Sequence, residues 1–326
     1  MTEIIHEFPT IYKASIPLPG TALKNLNCYI MKSGEESVII DTGFNLEECR
    51  QILMDALLSL NISPRHTHVL LTHLHSDHMG LAEYFDYPDS KIFMSETEYN
   101  YYRMHIHGEY WEIQDRIFIE AGMPEEELAQ SKLENPAIIY APAKEFHVHT
   151  LKDGDRIHIG DLTFEAIEVA GHTPGQMCFY LEDEKIMFLG DHILFDITPN
   201  IVTWPLTKNC LQKYLDNLDK ISRYEIKTAL PGHRNLSNKT VYTRIQEIRN
   251  HHRKRLDQVL SVLKDHPGIN AYQVAGLLTW SLRGKKWEDA PKQQKWFAMG
   301  EAMAHLEYLV SEGEIEIRDN RYYRIR

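Results

Sequence analysis

Apolar and polar positions follow one another in short blocks along most of the chain, and their spacing predicts a mixed α/β protein. Residues 27–31 and 37–40 read as two strands joined by Lys32-Ser33-Gly34-Glu35-Glu36, a hairpin with glycine in its turn. Asn45 and Glu48 form a capping-box pattern ahead of a helix on which Leu46, Cys49, Ile52, Leu53, Ala56, Leu57 and Leu60 keep helical spacing. Residues 69–72 read as a buried strand, 80–85 as the start of a helix, and 91–94 as a short strand. Ser95 with Glu98 is a second capping box, opening a helical stretch that runs to about residue 143 with a stop at Gly122 and Pro124. Strands 156–159 and 162–169 form a second meander; strands at 177–181 and 185–189, a helix over 208–221 and a strand over 226–230 follow. The remainder reads as a long helix over 240–264, a helix over 271–279 capped by Asn270, a helix over 291–310, and a hairpin turning at Asp319-Asn320.

Chemistry collects at the strand ends. The run Val69-Leu70-Leu71-Thr72 empties directly into His73-Leu74-His75-Ser76-Asp77-His78, and three imidazoles with a carboxylate are costly at a strand end unless something binds them. His73 and His75 are two residues apart and can share one cation, while Asp77 and His78 turn a different way and suit a second. Transition metals such as zinc accept imidazole nitrogen and carboxylate oxygen together. Later strand ends repeat the theme in Gly171-His172-Thr173-Pro174-Gly175, Gly190-Asp191 and Pro231-Gly232-His233.

Composition narrows the setting. The chain of 326 residues is 43% hydrophobic and 25% charged, enough for one large domain and a small one. Eighteen histidines is a high count, which a metal centre explains. No apolar run of about 18 residues predicts a membrane span, and the first residues lack a signal-peptide pattern, so a cytoplasmic protein is expected. Cys28, Cys49, Cys178 and Cys210 form no CxxC pair, and Cys178 sits in an apolar strand as a core residue. The net charge of −12 is uneven: residues 249–326 carry 14 Lys and Arg against 10 Asp and Glu, leaving 21 against 37 before them.

Through His73, His75, Asp77, His78, His172, Asp191 and His233 the sequence resembles the metallo-β-lactamase-fold hydrolase superfamily, over roughly residues 20–240. The resemblance implies a four-layer αββα sandwich with the site at one edge between the sheets. It puts His73, His75 and His172 on a first divalent ion and Asp77, His78 and His233 on a second, with Asp191 bridging; zinc is the expected metal, manganese or iron the alternatives. Asp77 and Asp191 are the carboxylates it places at the chemistry. Solvent bridging two such ions ionises near pH ~7 and attacks the substrate. Asp41, in Asp41-Thr42-Gly43, looks like the family's acid that orients the metal loop.

Among the other histidines, His147 and His149 read as surface or structural, and His251 and His252 as solvent-facing on a basic helix. His192, next to Asp191, is either a proton donor near the site or a packing residue. The aromatic stretch containing Tyr101, Tyr102 and His105 reads as a helical lid over a substrate pocket, or as a packing or homodimer surface.

The expected organisation is a catalytic domain over residues 1–245 with a helical insertion at about 95–143, then a winged-helix-like domain over 246–326. The latter is similar in element order to the C-terminal domain of the branch that includes the β-lactamase-like endoribonucleases. Lys285, Lys286, Lys292, Lys295, Arg318, Arg321, Arg324 and Arg326 would be its phosphate contacts, but a surplus of four positive charges beside an acidic body disfavours a nucleic-acid partner. The true β-lactamases of the family place a cysteine where Asp191 stands. The β-CASP nucleases insert a domain for which the 41 residues between Asp191 and His233 leave no room. The lactonases' tyrosine is replaced by Leu194 and Phe195, and glyoxalase II's glutathione-binding region is not recognisable. The expectation is a binuclear hydrolase of a small-molecule ester, thioester or lactone; a single-strand endoribonuclease or an iron-dependent oxidoreductase on the same ligand frame are the alternatives.

Overall fold

The computed structural model describes residues 2–237, 239–281 and 285–325, so Arg326 lies outside the described residues. Strands β1 (Thr2–His6), β2 (Ile11–Leu18), β3 (Lys24–Ser33) and β4 (Glu36–Ile40) pair antiparallel in sequence order. Helix α1 (Glu47–Ser59) crosses over to β5 (Thr67–Leu70), which lies parallel to β4. A single turn α2 (Ser76–Met79) precedes β6 (Ile92–Ser95). Four helices follow, α3 (Glu96–Ile106), α4 (Glu109–Glu120), α5 (Glu125–Leu133) and α6 (Pro136–Ile139), before β7 (His149–Leu151) closes a seven-stranded sheet.

The second sheet has the order β12-β11-β10-β9-β8. Its strands are β8 (Arg156–Ile159), β9 (Leu162–Glu168), β10 (Met177–Leu181), β11 (Ile186–Gly190) and, after helix α7 (Cys210–Ile221), β12 (Thr228–Pro231). All pairs are antiparallel except β11 with β12, the pair that a helix connects. Helices α8 (Val241–Asp265), α9 (Ala271–Leu277) and α10 (Lys292–Ser311) and the hairpin β13 (Ile315–Arg318) and β14 (Arg321–Arg324) complete the chain.

Strand alternation decides the layers. On β3, Tyr29 and Met31 join Phe164, Phe179 and Phe188 of the other sheet in one buried cluster, so the two sheets pack face to face. Cys28 and Ile30 point the opposite way, into a cluster shared with Cys49 and Leu53 of α1. On the second sheet Cys178 and Tyr180 likewise meet Leu211 and Leu218 of α7. The result is the helix-sheet-sheet-helix sandwich expected. A third cluster joins Phe118, Met123 and Leu128 of the inserted helical region to Val259, Val274 and Met299 of α8, α9 and α10. Glu127 of α5 reinforces this contact by accepting from Lys295 (2.8 Å) and Lys292 (2.5 Å).

Several local expectations change. β1 and β2 lie ahead of any strand that the pattern announced. Asn45 does not cap α1: the cap position is Leu46, and the Asn45 amide donates to Ala141 O at the end of the inserted helices (3.2 Å). Ser95 does cap α3, accepting from Glu98 N at 3.0 Å, but the Glu98 carboxylate does not return to it and serves elsewhere. The helix expected at 80–85 begins at Ser76 as the turn α2, followed by a 3-10 turn at Ala82–Phe85, so Asp77 and His78 stand on a helical turn rather than ahead of one. His252 is buried, not solvent-facing, because α8 runs between Tyr214 of α7 and His305 of α10. His147 is exposed beside Asp86, and Cys178 is fully buried, both as read.

Candidate metal centre

Five loops meet at one edge of the sandwich, each launched from a strand end. Asp41 follows β4 directly, His73 stands three residues beyond β5, His172 four beyond β9, Asp191 directly after β11, and His233 two beyond β12. β4 and β5 are parallel, as are β11 and β12, so their C-terminal ends deliver these residues to the same place. β3 joins the two sheets there: Asn27 N donates to Gly232 O (2.7 Å) and Tyr29 Oη to Pro231 O (2.6 Å).

The imidazoles converge through one ring edge and are anchored through the other. His73 Nε2 lies 3.0 Å and His172 Nε2 3.1 Å from His75 Nδ1, while His78 Nε2 lies 3.1 Å from His233 Nε2. Asp191 Oδ2 is 3.4 Å from His233 Nε2 and 3.9 Å from His172 Nε2, and Asp191 Oδ1 is 3.5 Å from His78 Nε2. Asp77 Oδ2 stands 3.3 Å from His233 Nε2. Three ligand-sized groups result: His73 with His75 and His172, Asp77 with His78 and His233, and His73 with His78 and Asp191.

The opposite nitrogens fix the tautomers. His172 Nδ1–H donates to Asn200 O (2.8 Å), His233 Nδ1–H to Asn25 O (2.9 Å) and His78 Nδ1–H to Asp41 Oδ2 (2.7 Å). Thr72 Oγ1 donates to Asp41 Oδ2 (2.8 Å), so it accepts from His73 Nδ1–H at 3.0 Å. Each of these four rings therefore turns Nε2 toward the others, as a lone pair on His73 and His172 and, on His78 and His233, as the atom where a cation would replace a proton. His75 Nδ1 can donate to only one of the His73 and His172 lone pairs that approach it at about 3 Å, so an acceptor is left there that a cation would satisfy. Asp191 Oδ1, buried and without a hydrogen-bond partner, adds an acceptor that only a cation or a donor would satisfy. The residues present fit divalent metal ions.

Electrostatics divides the centre in two. Burial, with His172 next, pushes His75 down to about 3, and burial with His78 and His75 holds His73 well below its ordinary value, so the His73–His75–His172 group stays neutral. Around the carboxylates the sign reverses. Burial alone would lower His233, but Asp191 and Asp77 raise it to about 9. Burial would raise Asp191, and His233 with His78 brings it well below the carboxylate range.

The remaining candidates separate. Asp41 sits in the left-handed region (φ 60°), and its two oxygens serve Thr72 N, Thr72 Oγ1 and His78 Nδ1. Tyr101 packs edge-on against Trp204 and donates to Pro205 O, while the His105 ring stacks over Trp204 and burial pushes it down to about 3. Tyr102 turns instead to Phe146 and Lys144 O, and His192 is a buried ring against Tyr214.

Sequence reasoning missed the loop after Asp191, which holds two rings of the centre. Trp204 Nε1 donates to His172 O (3.1 Å) and its indole stacks on His75 (5.9 Å), while Asn200 orients His172. The loop is fixed from behind by Arg244, which donates to Leu194 O (2.6 Å) and Ile197 O (2.9 Å), and by Thr203 N donating to Gly300 O (3.3 Å). Beside it a cleft of about 170 Å³ is lined by Asn200, Trp280, Gln294, Phe297, Ala298 and Glu301. No periodic pattern marks this loop; its single tryptophan was the available signal.

Comparison with known proteins decides the family. The model of the Metallo-beta-lactamase superfamily matches residues 23–233, most of the chain and nearly the whole span from β3 to His233 and its neighbours. The chain belongs to the metallo-beta-lactamase superfamily. A second model, Metallo-beta-lactamase-like, C-terminal domain, matches residues 291–325. A metallo-beta-lactamase family protein of Thermus thermophilus shares 27% identity and superposes with a TM-score of 0.78, covering 96% of this chain and 98% of that one. The Beta-lactamase-like protein 2 homolog of Caenorhabditis elegans is 24% identical over 92% of this chain and 83% of its own length. An acyl-coenzyme A thioesterase of Bos taurus is 25% identical over 64% of this chain and 73% of its own. An atrochrysone carboxyl ACP thioesterase of Claviceps purpurea is 29% identical over 58% of this chain, which spans about half of that relative's length (47%). Among the described residues, no helix is long and apolar enough to cross a membrane.

Proposed function

We propose that this superfamily member is a binuclear metal-dependent hydrolase of a small thioester or related ester. The observation that carries the reading is the convergence of four anchored imidazole Nε2 atoms with His75 Nδ1 around Asp191. His73, His75 and His172 would hold one divalent ion, Asp77, His78 and His233 the other, and Asp191 would reach both. Such ions lower the pKa of bound water to about 7 and polarise the attacked carbonyl.

The chain's own residues supply aim and charge. Asp41 and Asn200 hold His78 and His172 in the tautomer that leaves Nε2 free. Burial would raise Asp77, but His78 and His233 lower it to about 2, so it stays an ionised carboxylate available to the second ion. Trp204 closes the side of His75 against water. The cleft beside Asn200 offers Trp280, Phe297 and Ala298 to an apolar acyl arm. Thioesters are preferred over other esters because two relatives bear thioesterase names. The acidic body disfavours RNA.

The test is elemental analysis of purified protein together with turnover of acyl-coenzyme A, simple ester, lactone, phosphodiester and RNA substrates. About two equivalents of zinc or manganese with thioester turnover is the expected outcome. Metal-free protein that does not take up metal, or hydrolysis of RNA alone, refutes it.

A further inference from the structure

Glu98 lies outside the metal-ligating set, on the first turn of α3, and is fully buried. A buried carboxylate needs partners for both oxygens, and it finds them in two different loops. Oε2 accepts from Leu74 N at 2.7 Å, and Oε1 accepts from Gly175 N at 2.6 Å. Leu74 stands between His73 and His75; Gly175 closes the turn that carries His172. One carboxylate thus bridges the backbones of the loops that supply His73, His75 and His172.

The approach is close and specific. A Cβ on Gly175 would lie 2.5 Å from Thr97 Cβ and 2.6 Å from Ser95 Oγ, so the first turn of α3 rests directly on the His172 loop. Ser95 Oγ holds Glu98 N at 3.0 Å, which fixes where the side chain starts. Among the described residues, neither Leu74 N nor Gly175 N has another hydrogen bond from the strands, because both stand in the loops beyond β5 and β9.

We infer that Glu98 is a positioning residue that sets the separation of the two loops and thereby the geometry of the His73–His75–His172 group. Its role rests on the metal-centre reading above, since the geometry it sets is that of ligands. The inserted helical region thus begins with a strut for the centre, whatever its later helices do. Its chemistry follows from acceptor capacity: burial raises Glu98 to about 7 against the pull of the Gly175 and Leu74 N–H groups, and above that pH the ionised carboxylate accepts twice, whereas an amide of the same shape accepts once and presents an N–H to the second N–H.

The test compares Glu98→Gln, Glu98→Ala and the parent protein. In the metal-free proteins, hydrogen exchange of peptides spanning residues 71–80 and 170–177 is measured; metal affinity is then read by chelator competition. The expected result is faster exchange in both segments for both variants, with affinity for one of two ions weakened about 10–100-fold. In turnover, kcat falls while KM holds. Glu98→Gln keeps the shape, so parent-like behaviour of this variant in exchange and affinity would reduce Glu98 to packing and overturn the inference. Faster exchange in both variants, alongside a parent protein that binds no metal, would sustain the strut and sink the hydrolase reading instead, which keeps the two failures apart.

Discussion

The pair formed by His252 and His305 makes stability acid-sensitive in a way that can be worked out from the contacts. His305 Nδ1–H donates to Glu301 O (2.7 Å), so its Nε2 accepts from His252 Nδ1–H at 3.1 Å. His252 Nε2 is then left buried with no partner. Both rings are neutral in this arrangement, and among the described residues a proton added to the pair finds no acceptor beyond the two rings themselves. Arg255, His251, Tyr214 and the partly buried Glu301 are the other titratable groups around them. Burial pushes His305 from 6.5 down to about 3, and burial with His305 and His251 holds His252 well below its ordinary value. A histidine depressed in the folded state contributes stability that is present above its unfolded pKa and is lost as pH falls below it. For His305 alone the loss on going from neutral pH to about pH 5 is about 2 kcal/mol. That is a large share of the roughly 5–15 kcal/mol that holds a typical domain together. The variant His252→Gln/His305→Gln replaces both rings with amides that can still donate and accept but do not titrate. Urea unfolding of the metal-free proteins at about pH 7.5 and pH 5, followed by tryptophan fluorescence, isolates the effect, because every other group titrates in both proteins. The parent should lose at least about 2 kcal/mol more than the variant between the two pH values, the share of His305, with His252 adding to it in the same direction. Equal losses would refute the neutral-pair assignment, whatever the variant's absolute stability.

Two further outcomes follow from the same contacts. Asp41→Asn keeps the left-handed backbone conformation accessible but removes the charge beside His78 Nδ1, and metal affinity by chelator competition should fall about 10–100-fold with little change in far-UV circular dichroism. Gly300→Ala places a Cβ 3.0 Å from Val202, so thermal unfolding should show about 1–3 kcal/mol of destabilisation. Adding Val202→Ala should restore part of it, and the absence of any recovery would mean that the helix does not press on this loop.

What the sequence disclosed and what it withheld divide along a physical line. The histidines and carboxylates of the candidate centre were legible because each stands at or just beyond the end of an apolar, strand-like run, where such groupings are costly without a metal. The layers were legible because β3, β9 and β10 alternate or saturate with apolar residues, and α1 and α7 repeat at helical spacing. Glu98 was visible as half of a capping box, yet its partners lie 24 and 77 residues away. Asn200 and Trp204 stand in a loop with no period. His252 looked solvent-facing because its neighbours along α8 are basic, whereas its burial is decided by Tyr214 and His305 from other helices.

The stitching of β3 to the end of β12 has a consequence for how the chain comes into being. Asn27 and Tyr29 hold Pro231 and Gly232 across more than 200 residues, and His233 is the last side chain of the centre to be synthesised. During translation the N-terminal sheet emerges with one edge of the future site bare, and its histidines wait for a partner some 160 residues behind His73. A nascent chain arrested before residue 231 would carry His73, His75, His78, His172 and Asp191 without His233, whose Nε2 meets His78, Asp77 and Asp191. The Asp77–His78–His233 half of the centre therefore closes late, by long-range docking, after the His73–His75–His172 group has already been synthesised.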